Sequence, residues 1–245
     1  EKQMFSDDFN SLLNHSIKIC EFVNQNFNIF SGSLVNLWGF GPLKRTGLPK
    51  DEAIAKVIPN GCNSTSNDHL EIDFSAIAKG HAVDEISKLL DDQNLKNYFI
   101  DIGGEILIKG NKKKSPWIIC IENPDISNSK PVKCLSKKDN EKYMAIATSG
   151  DYRNFFTINN RRYSHTIDPK TGYPISNNLA SVSVALPGQF RHTGDADALA
   201  TALNVMGLNK GFEFAVNNSI AALFVFKLEN EFSIRMTPSF EDIIH

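Results

Sequence analysis

"ASVSVAL", residues 180–186, alternates with a period of two; ten residues on, "ADALATALNVM", residues 196–206, changes to apolar spacings of three and four. The first pattern predicts a strand and the second a helix, with Asp195 as the helix cap and Gly207 as its stop. Upstream, "NYFIDIG", "EILIKG", "WIICIEN", "YMAIATSG" and "FFTINN" read as further strands separated by Gly, Asn, Asp, Ser and Pro. Downstream come a short helix near Lys210–Val216 and two more strands, "IAALFVF" and "EFSIRM". Many strands with few helices, and no regular strand–helix alternation, predict an α+β fold of mainly antiparallel sheets with flanking helices. We take residues 1–245 as one domain.

Toward the N-terminus, Phe9, Leu12, Leu13, Ile17, Cys20 and Phe22 trace a helical stripe. "SGSLVNLWGFGPLK", residues 31–44, is apolar but broken by glycines and Pro42, and predicts a folded loop near the core. A short helix is expected over Asp51–Val57. "AKGHAVDEISKLL" predicts a helix from Ala78, with Ser75 as its cap and Ala82, Val83, Ile86, Leu89 and Leu90 on its packed face. "NKKK", residues 111–114, reads as a solvated turn.

The 245 residues are 41% hydrophobic and 22% charged, with formal net charge -2, so no overall basic field favours nucleic acid. No apolar run approaches the ~20 residues of a membrane span, and "EKQMFSDDFN" does not read as a signal peptide. The abrupt opening into a helix points to sequence upstream, where an export signal or lipid anchor would sit. Cys20, Cys62, Cys120 and Cys134 are scattered without metal-ligand spacing and read as inert thiols.

Three stretches could carry chemistry. Asp197 and Thr201, four apart, project from one helix face and offer a carboxylate and a hydroxyl to a hard cation such as Mg²⁺. As purely structural residues they would serve the helix dipole and a backbone bond one turn back. "IDFSAIAKGHAVD", residues 72–84, combines small residues, a helix N-terminus and the cation of Lys79, a setting for an anion or simply for tight packing. The third pairs "ATSGDYRNFF" with "RRYSHTIDPKTGYP". Ser149, Gly150 and Asp151 form a turn at a strand end, Tyr152 offers a flat aromatic face, and His165 sits beside the turn "DPKTG".

In this order, "LVNLWGFGP", "DFSAIAKGHAVD", "FIDIGGEILIKG", "ATSGDYRNF", "RRYSHTIDPKTGYPI" and "DADALATALNVMG" resemble the FAD:protein FMN transferase, or ApbE, family from about Phe27 to about Gly207. The resemblance implies an ApbE-type, T-fold-related architecture. It also implies Mg²⁺-dependent cleavage of FAD, with FMN passing to a threonine or serine hydroxyl of an acceptor protein and AMP released. Acceptors in the family include flavin-carrying subunits of membrane redox complexes. By position, Asp197, Thr201 and the main-chain carbonyl of Ala76 are the metal ligands, and His165 is the catalytic residue. Phe27, Asn28, Asp73, Lys79, Ser149, Asp151, Tyr152, His165 and Ile167 are the FAD contacts. We assign His165 the acceptor proton, with Asp168 holding its turn.

The chain also departs from the family. Asn28 stands where it often has an acid, and Phe30 where it has a hydroxyl. The family's extra N-terminal strands and helix are not visible in these residues, and the segment from Ala55 to Leu70 is shorter than expected. Location on the periplasmic side, often by a lipoprotein anchor, is a further family implication. Two other functions use the same residues: an FAD pyrophosphatase, with water replacing the acceptor, and a non-catalytic flavin-binding protein.

Overall fold

The computed structural model describes residues 5–42, 47–64, 71–124, 130–150, 155–158, 161–229 and 231–244. The chain forms two compact units, one of residues 1–76 with 155–175, the other of 77–154 with 176–245.

In the first unit, helix α1 (Asp7–Phe22) opens with the Ser6 hydroxyl accepting the Phe9 N–H at 3.2 Å, with Asp7 and Asp8 in its first turn. It buries Ser16, Ile19 and Cys20, whereas Phe22, expected on the packed face, is half exposed. "SGSLVNLW" is helical rather than a loop: a 3-10 turn at Ile29–Ser31 leads into α2 (Gly32–Leu37). Helix α3 (Asp51–Val57) is where the sequence places it. Leu34, Leu37, Trp38, Ile54 and Ile167 form the core of this unit. The Trp38 indole N–H donates to the Gly172 carbonyl at 2.8 Å, inside the turn that follows His165.

The second unit begins with helix α4 (Ala78–Asp92). Strands β1 (Tyr98–Ile102) and β2 (Glu105–Lys109) form a hairpin closed by Gly103 and Gly104, both at positive φ (64° and 99°), as a tight two-residue turn requires. Two small ribbons follow, β3 (Asn111–Lys112) with β4 (Ser115–Pro116), and β5 (Ile119–Ile121) with β6 (Lys133–Leu135). The Asn111–Lys114 segment is exposed as expected, but Asn111–Lys112 form β3 and only Lys113–Lys114 the turn. Strand β7 (Tyr143–Gly150) belongs to the main sheet; β8 (Phe155–Ile158) and β9 (Arg161–Ser164) pair with each other in the first unit. Then come β10 (Leu179–Gly188), helix α5 (Thr193–Asn217), β11 (Ala221–Leu228), β12 (Glu231–Met236) and α6 (Pro238–Glu241).

The six-stranded sheet runs β1-β2-β7-β10-β11-β12, with every pair antiparallel. Helix α5 covers β7 and β10, and α4 packs beside it against β1 and β2. The other face carries Ile108, Met144, Ile146, Leu223 and Val225 with β5, β6 and Phe240 of α6. Both faces being covered, the serines of "SVSV" are buried too, and Ser183 hydrogen-bonds Thr148 across to β7 at 2.7 Å.

Two expectations about α4 change. It buries Gly80, Val83 and Ser87, while Leu89 is 65% exposed, because the neighbouring helix comes too close for large side chains on that face. It starts after Ile77 without a side-chain cap from its own strand of sequence, so Ser75 is not its cap. Helix α5 starts earlier than expected, with Asp195 inside its first turn, and Gly207 (φ 77°, ψ 174°) breaks its helical path as predicted. The cysteines are not inert thiols: Cys20 pairs with Cys62 in the first unit and Cys120 with Cys134 in the second. Among the described residues, no helix is long and apolar enough to cross a membrane.

Candidate active site

Helices α4 and α5 cap one another. The Gly80 N–H, in the first turn of α4, donates to Asp197 Oδ2 at 3.2 Å. In return Asp84, one turn further along α4, accepts the N–H groups of Thr193 and Gly194 at 3.1 and 3.0 Å, in the first turn of α5. Each acid meets donors that a helix N-terminus cannot satisfy from within, and each is favoured there by the helix dipole. The exchange needs the two backbones close: a Cβ on Gly80 would lie 2.3 Å from the Thr193 carbonyl oxygen and 2.8 Å from Gly194 Cα.

This junction buries Asp197 to 5% exposure. Lys79 reaches across it, its Nζ 3.5 Å from Asp197 Oδ2 and 3.3 Å from Glu105 Oε1. Glu105, the first residue of β2, is 2% exposed, and its Oε2 has no hydrogen-bond partner. Burial pushes the Glu105 carboxyl up to about 7, with the charge of Asp197 adding to the effect and Lys79 opposing it. Burial likewise raises Asp197, against Lys79 and the Gly80 N–H. Two acids and one ammonium leave the cluster one negative charge in excess when both acids are ionised.

Thr201 is half-buried one turn beyond Asp197 on α5, and Ala76 lies in the turn just ahead of α4, three residues before Lys79. The carboxylate of Asp197 and the hydroxyl of Thr201 are oxygen donors of the kind Mg²⁺ takes, and the orphaned Glu105 oxygen fits a cation nearby. No group of three or more His, Cys, Asp or Glu side chains that could hold a metal occurs among the described residues. A site of this composition is not of that kind.

Ser149, at the end of β7, accepts from the Asn204 amide of α5 at 3.4 Å, in the same unit. Asp151 and Tyr152 lie outside the described residues. In the first unit, His165 follows β9, with the Phe40 ring edge-on at 6.4 Å. Asp168 holds its turn, accepting the Lys170 N–H on Oδ1 at 2.9 Å and the Gly172 N–H on its carbonyl at 2.8 Å. Asp73 likewise organises the approach to α4, its Oδ1 accepting the Ser75 N–H at 2.8 Å. Phe27, Asn28 and Ile167 are buried within the packing of this unit. Asn28 accounts for its departure from the family's acid: Oδ1 accepts the Phe30 N–H at 3.0 Å while the amide donates to the Gly61 carbonyl at 3.0 Å, a donation an aspartate cannot make.

Two site residues, Glu105 and Asp84, carry no chemical signature in sequence. The one hint is an acid at the head of the otherwise apolar strand "EILIK".

The comparisons agree with this fold. The model of the ApbE family matches residues 1–224. A protein of Haemophilus influenzae named FAD:protein FMN transferase is 35% identical, the match covering 97% of this chain and 71% of that protein. Among solved structures, the flavinyl transferase ApbE of Pseudomonas stutzeri in its apo form superposes with a TM-score of 0.84 at 33% identity, covering 98% of this chain and 75% of that one. The flavin transferase ApbE of Vibrio cholerae gives 0.81 at 35% identity, covering 97% and 77%.

Proposed function

The chain belongs to the ApbE family and is a transferase, and we propose that it moves FMN from FAD to a threonine or serine hydroxyl of an acceptor protein, with Mg²⁺ bound and AMP released. The observation that carries this reading is the buried Asp197, held by the Gly80 N–H and by Lys79 at the α4–α5 junction.

Asp197, Thr201 and the Ala76 carbonyl would hold Mg²⁺, which when bound neutralises charge on the diphosphate oxygens of FAD. Lys79 adds a second cation; its side chain is 43% exposed, so the ammonium can meet a phosphate oxygen while staying near Asp197. The acceptor oxygen forms a bond to the flavin-side phosphorus as the bond to the bridging oxygen breaks, and AMP leaves with that oxygen. His165 takes the acceptor proton as general base, a role open to an imidazole near neutral pH. Little covalent work falls to the protein, so positioning dominates. Asp73, Ser149, Asp151 and Tyr152 are assigned to FAD along with Lys79 and His165, as are Phe27, Asn28 and Ile167, which are buried in the first unit.

Flavin-carrying subunits of membrane redox complexes are the acceptors proposed. The two disulfides support an oxidising compartment, in keeping with a periplasmic-facing lipoprotein.

The test is purified protein with FAD and Mg²⁺, with and without an acceptor domain. An acceptor mass gain equal to an FMN phosphoester, abolished by EDTA and by His165→Ala, is expected. AMP release with no acceptor mass gain would show a pyrophosphatase, and tight FAD binding with neither product a flavin-binding protein; either overturns the transferase mechanism.

A further inference from the structure

Lys79 is an awkward neighbour for a cation site. Its ammonium sits 3.5 Å from the one carboxylate assigned to the metal, where it both occupies that carboxylate and repels any divalent ion approaching it. Asp197 and Lys79 alone would be a neutral pair with no excess charge to attract a cation. Glu105 changes that sum. Its Oε1 lies 3.3 Å from the same ammonium, slightly closer than Asp197, and its side chain is 3% exposed.

We propose that Glu105 is a positioning residue that neutralises Lys79, leaving the charge of Asp197 available to a divalent cation while keeping the ammonium beside the site. The inference rests on the metal reading above. Two features support it independently. Glu105 heads β2 directly after the two-glycine turn, so its backbone is fixed by the Ile102–Glu105 pairing of the hairpin. Its Oε2 is buried without a partner, a costly state for an oxygen retained only for packing. A glutamine would fill the same space and still accept from Lys79, so charge is the property that separates the two side chains.

The experiment titrates Mn²⁺ into the metal-free protein without FAD, reading free Mn²⁺ by electron paramagnetic resonance. It uses the unsubstituted chain, Glu105→Gln, Lys79→Met and the double variant, each checked by circular dichroism for native fold. Glu105→Gln is expected to weaken Mn²⁺ binding about tenfold or more, because Asp197 then faces an unopposed ammonium. Lys79→Met should bind at least as tightly as the unsubstituted chain. The double variant should return to within about threefold of it, since removing the ammonium removes the need for its partner. A Glu105→Gln protein that binds Mn²⁺ within twofold of the unsubstituted chain overturns the inference. So does weakened binding that Lys79→Met fails to restore, which would make Glu105 a ligand or a purely structural acid. If the unsubstituted chain binds no Mn²⁺, the metal reading itself falls, an outcome distinct from the other two.

Discussion

Gly80→Ala tests the reciprocal capping of α4 and α5. The new Cβ would lie 2.3 Å from the Thr193 carbonyl oxygen, 2.5 Å from its carbon and 2.8 Å from Gly194 Cα, all backbone atoms, whereas ordinary contact begins at 3.4 Å. The helices must part by roughly 1 Å. Overpacking of this kind costs about 1–3 kcal/mol, against a gain of about 1 kcal/mol from replacing glycine inside a helix. Parting them also weakens the Gly80–Asp197 bond and both Asp84 bonds, at about 1 kcal/mol each when lost. We expect a net loss of about 3 kcal/mol, or a fall in Tm of about 6–12 °C for a chain of this size. Two controls share the chemistry without the clash. On the facing helix, a Cβ on Gly194 meets nothing closer than 3.5 Å, and on Gly188 it meets nothing within 4 Å. Thermal unfolding followed by circular dichroism should leave both controls within about 2 °C of the unsubstituted chain. Equal Tm values for Gly80→Ala and Gly194→Ala would refute the close approach on which the capping depends.

Asp84→Ala removes the acceptor of two first-turn N–H groups of α5 and should cost about 1–2 kcal/mol in urea denaturation, with Asp84→Asn, which keeps one carbonyl oxygen, losing less. Reducing the Cys20–Cys62 bridge, which joins residues 42 apart, should lower the stability of the first unit by about 4 kcal/mol on loop entropy; dithiothreitol-dependent melting of a Cys120→Ser/Cys134→Ser background checks this. Asp91 supplies a pH effect. Burial works against its charge, but hydrogen bonds from Lys109, Tyr143 and Tyr98 outweigh burial and hold the carboxyl well below the usual range. A carboxyl depressed in the folded state contributes stability above its unfolded value of about 4 and loses it as pH falls further. Urea midpoints measured from pH 6 to pH 3 should therefore drop more steeply below pH 4 for the unsubstituted chain than for Asp91→Asn.

Local pattern made much of this fold legible, and the gaps have physical causes. Strands β1, β2, β7, β10, β11 and β12 each carry enough β-branched or aromatic residues to be read singly, and Gly207 marks the break in α5 by its freedom at positive φ. Helix α2 spans six residues, too few for periodicity to register. On the packed face of α4 periodicity finds Val83 but not Gly80 and Ser87, because it counts large apolar side chains while those two small residues admit another backbone. Disulfide partners and the two cross-caps join residues brought together only by the fold, with Gly80 and Asp197 separated by 117 positions. Asp197, Thr201 and Lys79 were legible as candidates because their chemistry is unusual where it stands. Glu105 resembles any acid at a strand end until its burial is known.

The caps also bear on why the assigned metal ligand is where it is. A carboxylate at 5% exposure with only a helix N–H and a lysine for company would ordinarily be destabilising, and its raised pKa records that cost. Asp197 offsets part of the cost by completing α4, a task that Ser6 performs for α1 from its own N-cap. Its counterpart Asp84 then fixes the first turn of α5, the turn that carries Asp197 itself. The two acids lock each other's helix, so the oxygen facing the cluster is set by backbone geometry rather than by a free side-chain rotamer. Orientation of that quality is what a reaction dependent on positioning demands. It also means that a change at Gly80 or Asp84, neither of which is assigned to substrate or metal, acts on the chemistry through the carboxylate of Asp197.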